Sequence, residues 1–489
     1  MLTAFFTIAC AATSFSLAIQ RSFASLAAWL AAVVSLGGVV WVGSRAVSNP
    51  TYFSYLIEVA QRHSSREVLA IAFGLSLAAP WFVLSIIAAI RSTNRDSHRS
   101  GERSWLHVLS QLLLAASSFG VAFTGGIFVW DLLYDIAGGS AVTVADANQL
   151  RIEELAKFEN PPLRVAVDPT SSQIFVSFQF QELGGLGGGI YQLDAKSPLR
   201  SPADVRVVAQ SPALFRAFGL AYYEGSLYVS RSGFAPRTKQ GDISYEAQGA
   251  VTLLRDLDAD GYYEYYDDLI TDLPGVRGPD PLHQNYGLAV ADDGTLYIAN
   301  AHDFNRVLDA HPLAGAILCL RPGATEPTVY ARGFRNPFGL AIGPNGSLLA
   351  TDNDVEENPG DEVNHVIEGE HYGHPYYVQS DKNVVAKGFR SPIYAATHPQ
   401  SNFTGLTFDR TGALPAPYRG TLLVCDFIRD QVLSLPLRPR GDTFEVGSPR
   451  VFAKIPSPID IAAAPDGSVY VVSLYDKKLF RIQPKATPR

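Results

Sequence analysis

From residue 164 onward, one pattern returns six times: a short apolar run, a turn rich in Pro, Asp, Asn or Gly, and a second apolar run. The six copies begin at Val165, Gly219, Gly287, Gly339, Gly405 and Asp460, so the intervals between them are long and of similar size. Each copy is typical of two β-strands joined by a tight turn, and further β-rich pieces (GAVTLLRD, GAILCL, QVLSLPL) lie between copies. A repeat of this size fits a four-stranded blade with its loops, so the pattern predicts an all-β six-bladed propeller over residues 150–489.

Two other arrangements of these strands are less favoured. The repeat is too long for a β-solenoid, and an unclosed array would leave sheet edges without partners. Propellers bind ligands at one mouth of the channel, but many of them only bind, so the function has to be argued from the residues themselves.

The segment 1–140 differs from the rest because four apolar runs without Asp, Glu, Lys or Arg follow one another. These runs cover residues 2–19, 23–42, 68–90 and 106–129, and each is long enough to cross a bilayer core. A buried soluble bundle is the alternative, but four such runs are hard to cover with protein. We predict an N-terminal transmembrane α-helical bundle of about four helices over residues 1–140. No Asp, Glu, Lys or Arg lies deep in a run, which indicates a lipid-embedded anchor or assembly surface rather than an ion path.

Basic residues set the expected orientation of this bundle. Four arginines between residues 91 and 103 predict a cytoplasmic loop after the third run, although three arginines between residues 45 and 66 conflict mildly with that orientation. The fourth run then leaves the cytoplasm, so we expect a multi-pass protein of the cytoplasmic (inner) membrane with its propeller on the periplasmic or extracellular side. The net charge of −8 argues against nucleic acid as a partner.

The most informative stretch of the propeller runs from residue 331 to 378. Arg335 and Asn336 precede a strand pair with a Pro-Asn-Gly turn, an acidic loop from Asp352 to Glu362 follows, and aromatic residues come next. A cation, an acidic cluster and aromatic rings at the ends of one hairpin suit an anionic cofactor and a hard metal ion. The alternative is a surface hairpin with solvated charges.

The same stretch resembles the soluble, pyrroloquinoline quinone (PQQ)-dependent glucose dehydrogenase and sorbosone dehydrogenase family. The residues that carry the resemblance are Arg335-Asn336-Pro337, Gly339-Leu340-Ala341, Asp361-Glu362, Tyr372-Gly373 and the segment HQNYGLAVADDGTLYIAN from His283 to Asn300. The resemblance covers roughly residues 150 to 485 and also implies six blades. It implies PQQ- and calcium-dependent oxidation of a sugar or polyol by hydride transfer to the quinone. The resemblance does not extend to residues 1–140, but the predicted bundle would bring the reduced cofactor near a membrane electron acceptor.

The resemblance also implies roles for single residues. His283 matches the family's catalytic base, and Arg335 matches the cation that stabilises negative charge on the quinone. The cofactor-binding residues would be Gln284, Asn336 and Arg429. The calcium ligands would be Asp361, Glu362 and a backbone oxygen near Tyr372.

Several positions depart from the family's pattern. Leu282 stands where the soluble glucose enzymes have Asp, and His374 stands where the family usually has Trp. Ser457 and Ile459 stand where the family often has arginines for the cofactor's carboxylates, of which PQQ has three. These departures favour the alternative of a non-catalytic propeller that serves as a binding or assembly subunit of a membrane complex, and the sequence leaves both functions open.

A second candidate calcium site lies in the segment DLDADGYYEYYD. Asp256, Asp258 and Asp260 fall at the ligand positions of an EF-hand loop, although an acidic β-turn is the alternative. One disulfide, between Cys319 and Cys425, also remains open, although nothing local favours it.

Overall fold

The computed structural model of this chain describes residues 142–178, 188–194, 205–211, 214, 217–231, 248–274, 285–302, 312–353, 361–376, 388–396 and 401–485. All of them belong to the unit Ser140–Arg489. The predicted transmembrane bundle lies outside these residues. Within them, no helix has the length and apolar character needed to cross a membrane.

The described residues form 26 β-strands arranged in six antiparallel sheets. The strands that precede the first blade, and those of blades one to three, are β1 (Thr143–Val144), β2 (Leu150–Lys157), β3 (Pro162–Val167), β4 (Gln173–Phe178), β5 (Gly188–Asp194), β6 (Arg206–Ser211), β7 (Ala217–Tyr223), β8 (Ser226–Arg231), β9 (Gln248–Arg255), β10 (Tyr265–Pro274), β11 (Asn285–Val290), β12 (Leu296–Asn300), β13 (Ala316–Leu320) and β14 (Thr328–Arg332). Those of blades four to six are β15 (Pro337–Ile342), β16 (Leu348–Asp352), β17 (Glu362–Val366), β18 (Tyr394–Ala395), β19 (Phe403–Phe408), β20 (Thr421–Asp426), β21 (Gln431–Arg440), β22 (Thr443–Val446), β23 (Arg450–Lys454), β24 (Pro458–Ala463), β25 (Val469–Ser473) and β26 (Lys478–Pro484).

The first strand of each blade lines a central channel. Strands β3, β7, β11, β15, β19 and β24 each contact the first strand of the next blade, and β24 contacts β3, so the ring closes. The predicted six-bladed propeller is therefore confirmed. Each copy of the repeated pattern forms the first two strands of a blade, and the intervening pieces GAVTLLRD, GAILCL and QVLSLPL lie in the third strands β9, β13 and β21.

The ring is closed by strands from both ends of the propeller. Strand β2 pairs with β26 and so completes the sixth blade, whose other strands come from the opposite end of the propeller sequence. Strand β1 pairs with β23 at the outer edge of the fifth blade. The sheets thus begin at Thr143, upstream of the residue 150 at which the sequence pattern placed their start.

Each blade packs against two neighbours, so both faces of its central strands are buried. The third strand of blade three, AILCL, is buried at every position, and this accounts for its continuous apolar run. The inner strands approach so closely that a Cβ atom on Gly339 would lie 2.7 Å from the Thr404 carbonyl oxygen, and one on Gly405 would lie 2.6 Å from the Asp460 Cα. This close approach explains why the repeated pattern so often begins with glycine.

Two further sequence expectations have clear outcomes. The predicted Pro-Asn-Gly turn is present as a 3₁₀ turn at Pro344–Gly346, where Asn345 has a φ of 55°. Cys319 and Cys425 are buried free thiols, so the disulfide that the sequence left open is absent.

Candidate functional site

The residues predicted to bind the cofactor gather at one mouth of the channel. In every blade the first strand begins where the second strand ends, as the pairings of Pro337 with Asp352 and of Phe403 with Asp426 show. Arg335 and Asn336 come directly before β15, so they stand at this end of the ring. We call it the Arg335 mouth.

Asp352 fixes the backbone of Arg335 and Asn336. Its two carboxylate oxygens accept the Arg335 N–H at 3.0 Å and the Asn336 N–H at 2.7 Å. The Asn336 carbonyl accepts the Asn353 N–H at 3.1 Å, and the Arg335 Nη1 donates to the Asn353 carbonyl at 2.9 Å. The guanidinium and the amide are therefore held on a segment with little freedom to move.

The sequence placed Asp352 in an acidic metal-binding loop, so its role in holding the mouth was missed. A signal for that role exists in the repeat, because the last residue of the second strand is Asn300, Asp352 and Asp426 in blades three, four and five. Asp426 also accepts a backbone N–H from the segment that enters its blade, that of Asn402, at 3.2 Å.

Asn336 offers an unused acceptor at the mouth. Its Nδ2 approaches the Asn353 Oδ1 at 3.4 Å, whereas its own Oδ1 is buried and has no hydrogen-bond partner among the residues that the structure describes. Buried polar atoms are usually paired, so this oxygen is suited to a donor or a cation supplied by a ligand.

Asp361 and Glu362 lie beside this pair and are both buried. The Asp361 Oδ2 accepts from the Asn353 Nδ2 at 2.6 Å and from the Phe403 N–H at 2.7 Å, which ties blade four to blade five. Glu362 pairs directly with Asp352 across β16 and β17, so the two carboxylates share one face of the sheet. Directly opposed like charges are unfavourable, and a cation or a shared proton between them would relieve the repulsion.

The side chain of Tyr372 does not approach Asp361. The phenol is stacked on Phe334 with ring centroids 4.7 Å apart, donates to the His365 carbonyl and accepts the Ile367 N–H at 2.9 Å. The His365 carbonyl lies four residues along the chain from Asp361, near the far end of β17, so the hydroxyl is roughly 13 Å from Asp361. Burial raises the pKa of Tyr372, which keeps it neutral in the core.

Two histidines stand next to Arg335, and sequence analysis assigned no role to His302. The His302 N–H donates to the Arg335 carbonyl at 2.8 Å, and the rings of His302 and His374 meet edge to face with centroids 4.7 Å apart. Imidazoles change charge near neutral pH, so this pair places proton-binding groups at the mouth.

Of the cation positions that the family resemblance suggests, the fifth-blade position carries a charge and the two sixth-blade positions do not. Arg429 is exposed in the turn between β20 and β21, at the same end of the channel as Arg335. Ser457 is buried with its hydroxyl 3.3 Å from that of Ser473, and Ile459 is buried in the core. Positions 457 and 459 therefore present no charge, and Arg429 supplies a cation from the neighbouring blade.

Two parts of the predicted site cannot be placed. His283 and Gln284 lie outside the described residues, and so do residues 354–360 of the acidic loop. Their predicted roles stay predictions.

The Asp256 loop lies at the opposite end of the propeller, in the hairpin between β9 and β10. One oxygen from each of Asp256, Asp258 and Asp260 lies within 4.8 Å of the others. No other trio of His, Cys, Asp or Glu in the described part of the chain meets this distance. The Gly261 N–H donates to the Asp256 Oδ2 at 2.7 Å, while the Asp256 Oδ1 is buried without a described hydrogen-bond partner. A cation here would be separate from one at the Arg335 mouth.

The family model for glucose/sorbosone dehydrogenases matches residues 239–481. No curated protein matches the chain.

Solved structures share the propeller fold. A Thermus thermophilus protein described as a candidate oxidoreductase (glucose dehydrogenase) is 22% identical, with a TM-score of 0.53, over 68% of this chain and 99% of its own. The PQQ-bound aldose sugar dehydrogenase of Streptomyces coelicolor is 16% identical, with a TM-score of 0.53, over 70% of this chain and 100% of its own. The holo PQQ domain of pyranose dehydrogenase from Coprinopsis cinerea is 13% identical, with a TM-score of 0.53, over 70% and 97%. At these identities the likeness establishes the fold.

Proposed function

We propose that this chain catalyses PQQ- and calcium-dependent oxidation of a sugar or polyol at the Arg335 mouth, because the glucose/sorbosone dehydrogenase family model matches residues 239–481 of its propeller. The observation that carries this proposal is the Arg335–Asn336 segment, held by both oxygens of Asp352, beside a buried amide oxygen with no described partner. The PQQ-bound forms of similar propellers support the choice of cofactor.

The residues at the mouth fit the cofactor in part. Arg335 and Arg429 are the cations for an anionic ligand, and the Asn336 oxygen is an acceptor for a donor or a metal ion. The carboxylates of Asp361 and Glu362 are the candidates for calcium, which prefers oxygen ligands. Ser457 and Ile459 contribute no charge, so fewer basic residues face the ligand's carboxylates than the family resemblance implies.

Each residue then has a specific task in the proposed reaction. PQQ, when bound, supplies a quinone that accepts a hydride from a C–H bond of the substrate. Arg335 places a fixed positive charge where an oxygen gains electron density, and its backbone contacts keep that charge in position. His283 takes the proton of the substrate hydroxyl, for which an imidazole has a suitable pKa.

Binding without catalysis is the second candidate function. Because Ser457 and Ile459 are buried and uncharged, these two positions supply no cation to the mouth, which favours a propeller that serves as a binding or assembly subunit of a membrane complex.

Cofactor binding and turnover distinguish the two candidates. Purified full-length protein is supplied with PQQ and Ca²⁺, and PQQ binding is followed by absorbance. Turnover is followed with an artificial electron acceptor and a panel of aldoses and polyols. We expect His283→Ala to lower turnover by about 10²- to 10⁴-fold while PQQ still binds. Arg335→Ala should weaken both PQQ binding and turnover.

Arg410→Ala is the matched control for these variants. Arg410 forms an exposed ion pair with Asp292 at the opposite end of the propeller, and its loss should change neither readout. A wild type that neither binds PQQ nor reduces the acceptor with any substrate would refute the dehydrogenase proposal and leave the second candidate.

The location of the propeller rests on the basic residues between residues 91 and 103. We propose that the chain crosses the cytoplasmic membrane several times and holds the propeller outside, close to a membrane electron acceptor. A reporter that works only in the cytoplasm should be active when fused after Arg99, and a reporter that works only outside the cytoplasm should be active when fused at residue 489. The opposite pattern would reverse the proposed orientation.

A further inference from the structure

One equivalent position on the inner strands differs among the six blades. In every blade the pairing between the first and second strands is irregular just after the first strand begins. The second residue after the start of each first strand is Arg164, Gly219, Gly287, Gly339, Gly405 or Asp460, in blade order. Four consecutive blades thus have glycine at this level, and the first and last blades have opposite charges.

At this level the channel is already narrow. A Cβ atom on Gly287 would lie 2.7 Å from the Phe338 carbonyl oxygen, and one on Gly339 would lie 2.7 Å from the Thr404 carbonyl oxygen. Adjacent inner strands are therefore in close contact at this level.

The Arg164 side chain reaches across the ring. Its Nε donates to the Phe218 carbonyl of blade two at 2.5 Å, and its Nη2 donates to the Phe338 carbonyl of blade four at 3.0 Å. Its Nη1 pairs with the Asp460 Oδ1 of blade six at 3.3 Å. Blade four lies opposite blade one, so a single side chain spans the channel and connects four blades.

The remaining groups of this pair are also engaged. The Asp460 Oδ2 accepts the Val165 N–H at 3.0 Å, and the guanidinium lies 4.2 Å from the centroid of the Phe338 ring. Arg164 is 2% exposed, so water has almost no access to it. The planar fork of an arginine matches several carbonyl acceptors at once, whereas an apolar side chain would leave the carbonyls of Phe218 and Phe338 without donors.

We propose that Arg164 and Asp460 form a plug that closes the central channel beneath the candidate site, so that ligands reach the site from the Arg335 mouth alone. Gly339 lies three positions after Asn336, which places the plug about 10 Å below the mouth. The proposal concerns the channel itself and holds for either proposed function of the mouth.

The two free thiols of the propeller provide a test in the full-length protein. Cys425 is fully buried and lies close enough to the pair for the charges of Asp460 and Arg164 to act on the pKa of its thiol. Cys319 is equally buried in blade three, where Arg321 and Glu368 are its charged neighbours. The rates of modification at each cysteine are measured by mass spectrometry with small methyl methanethiosulfonate and bulky fluorescein maleimide. The ratio of the two rates cancels changes in the thiolate fraction.

The double variant Arg164→Gly/Asp460→Gly has glycine at all six equivalent positions. We expect the small reagent to modify Cys425 at least tenfold faster than in the wild type. The ratio of the small reagent's rate to the bulky reagent's rate at Cys425 should rise, and the rates at Cys319 should not change. Arg164→Lys retains the charge but not the fork, so it should give a smaller increase at Cys425. The control Arg410→Gly/Asp292→Gly removes an exposed pair and should change neither cysteine.

Two outcomes would overturn the plug. One is an unchanged Cys425 rate in both plug variants, which would show that the channel stays closed without the pair. The other is equal acceleration of Cys319 and Cys425 in both variants, which would show that the pair stabilises the whole ring rather than sealing it. Because Arg164→Lys keeps the positive charge beside Asp460, the comparison remains decisive if the double variant does not fold.

Discussion

Replacing Asp352 with alanine should loosen the Arg335 mouth more than any other single truncation near it. The carboxylate accepts two backbone N–H groups, at 3.0 and 2.7 Å, and alanine leaves both donors without an acceptor. Each unsatisfied buried donor costs about 1–3 kcal/mol, so Asp352→Ala should lower the free energy of unfolding by about 2–6 kcal/mol. Loss of the carboxylate that faces Glu362 offsets part of this, so we expect the lower half of the range.

The assay has to report on the propeller alone. All five tryptophans of the chain precede residue 131, so tryptophan fluorescence does not follow the described strands. Circular dichroism of the β-sheets during urea titration gives the stability, and absorbance titration gives the PQQ affinity. Asp352→Asn keeps one acceptor oxygen and should recover about half of the lost stability.

Asp409→Ala is the matched control for this prediction. Asp409 is also buried and accepts the backbone N–H groups of Gly420 at 3.0 Å and Leu414 at 3.4 Å, but in a turn at the opposite end of blade five. Its loss should lower stability by a similar amount and leave PQQ affinity unchanged, whereas Asp352→Ala should weaken both. The reasoning would be refuted if Asp352→Ala lowered stability by less than about 1 kcal/mol, or if both variants changed PQQ affinity equally.

Three further predictions concern other parts of the propeller. If the Asp256 loop binds calcium, Asp258→Ala should abolish the rise in unfolding temperature that Ca²⁺ produces. If the Arg335 mouth binds it, Asp361→Ala should abolish that rise instead. Calorimetry with and without EDTA distinguishes the two sites. Burial, with the charge of Arg332, lowers the pKa of His371, whose Nδ1 accepts the Gly373 N–H at 3.0 Å. The neutral imidazole therefore contributes stability that is fully present above pH 6.5 and is lost as the pH falls below it. Melting curves should show less acid sensitivity in His371→Asn than in the wild type. Gly405→Ala should cost about 1–3 kcal/mol in urea titrations because its Cβ would meet Asp460, whereas Gly447→Ala, with no atom nearer than 3.5 Å, should be nearly neutral.

The sequence predicted the architecture of the propeller well because its signal is local and repeated. Each copy of the pattern contains a complete strand pair with its turn, so six copies identify six blades without knowledge of any long-range contact. The strand that completes blade six could not be predicted in this way. Strand β2 has the sequence LRIEELAK, which has no copy of the repeated turn, and its partner β26 lies at the opposite end of the propeller sequence.

The sequence predicted which segments form the candidate site, but it predicted few of the contacts that their side chains make. Arg335 and Asn336 stand at the mouth as the sequence indicated, because they directly precede a first strand. Asp352 and Asp361 were interpreted as members of an acidic loop, since sequence proximity cannot show that one holds two backbone N–H groups and the other accepts from blade five. The calcium role of a backbone oxygen near Tyr372 came from the resemblance, and the core packing of its phenol does not test that role, which stays a prediction.

The mouth and the plug depend on the same strand register. In blade four, Asp352 holds the two residues before β15, while Arg164 donates to the Phe338 carbonyl one residue after β15 begins. Arg335 is thus only three residues from a backbone group that Arg164 fixes. Because β15 is held at both points, a shift at the plug has to be absorbed within those three residues or passed to the guanidinium of Arg335. The position of the proposed charge-stabilising group is therefore set jointly by a carboxylate at the end of the second strand and by an ion pair between the first and last blades.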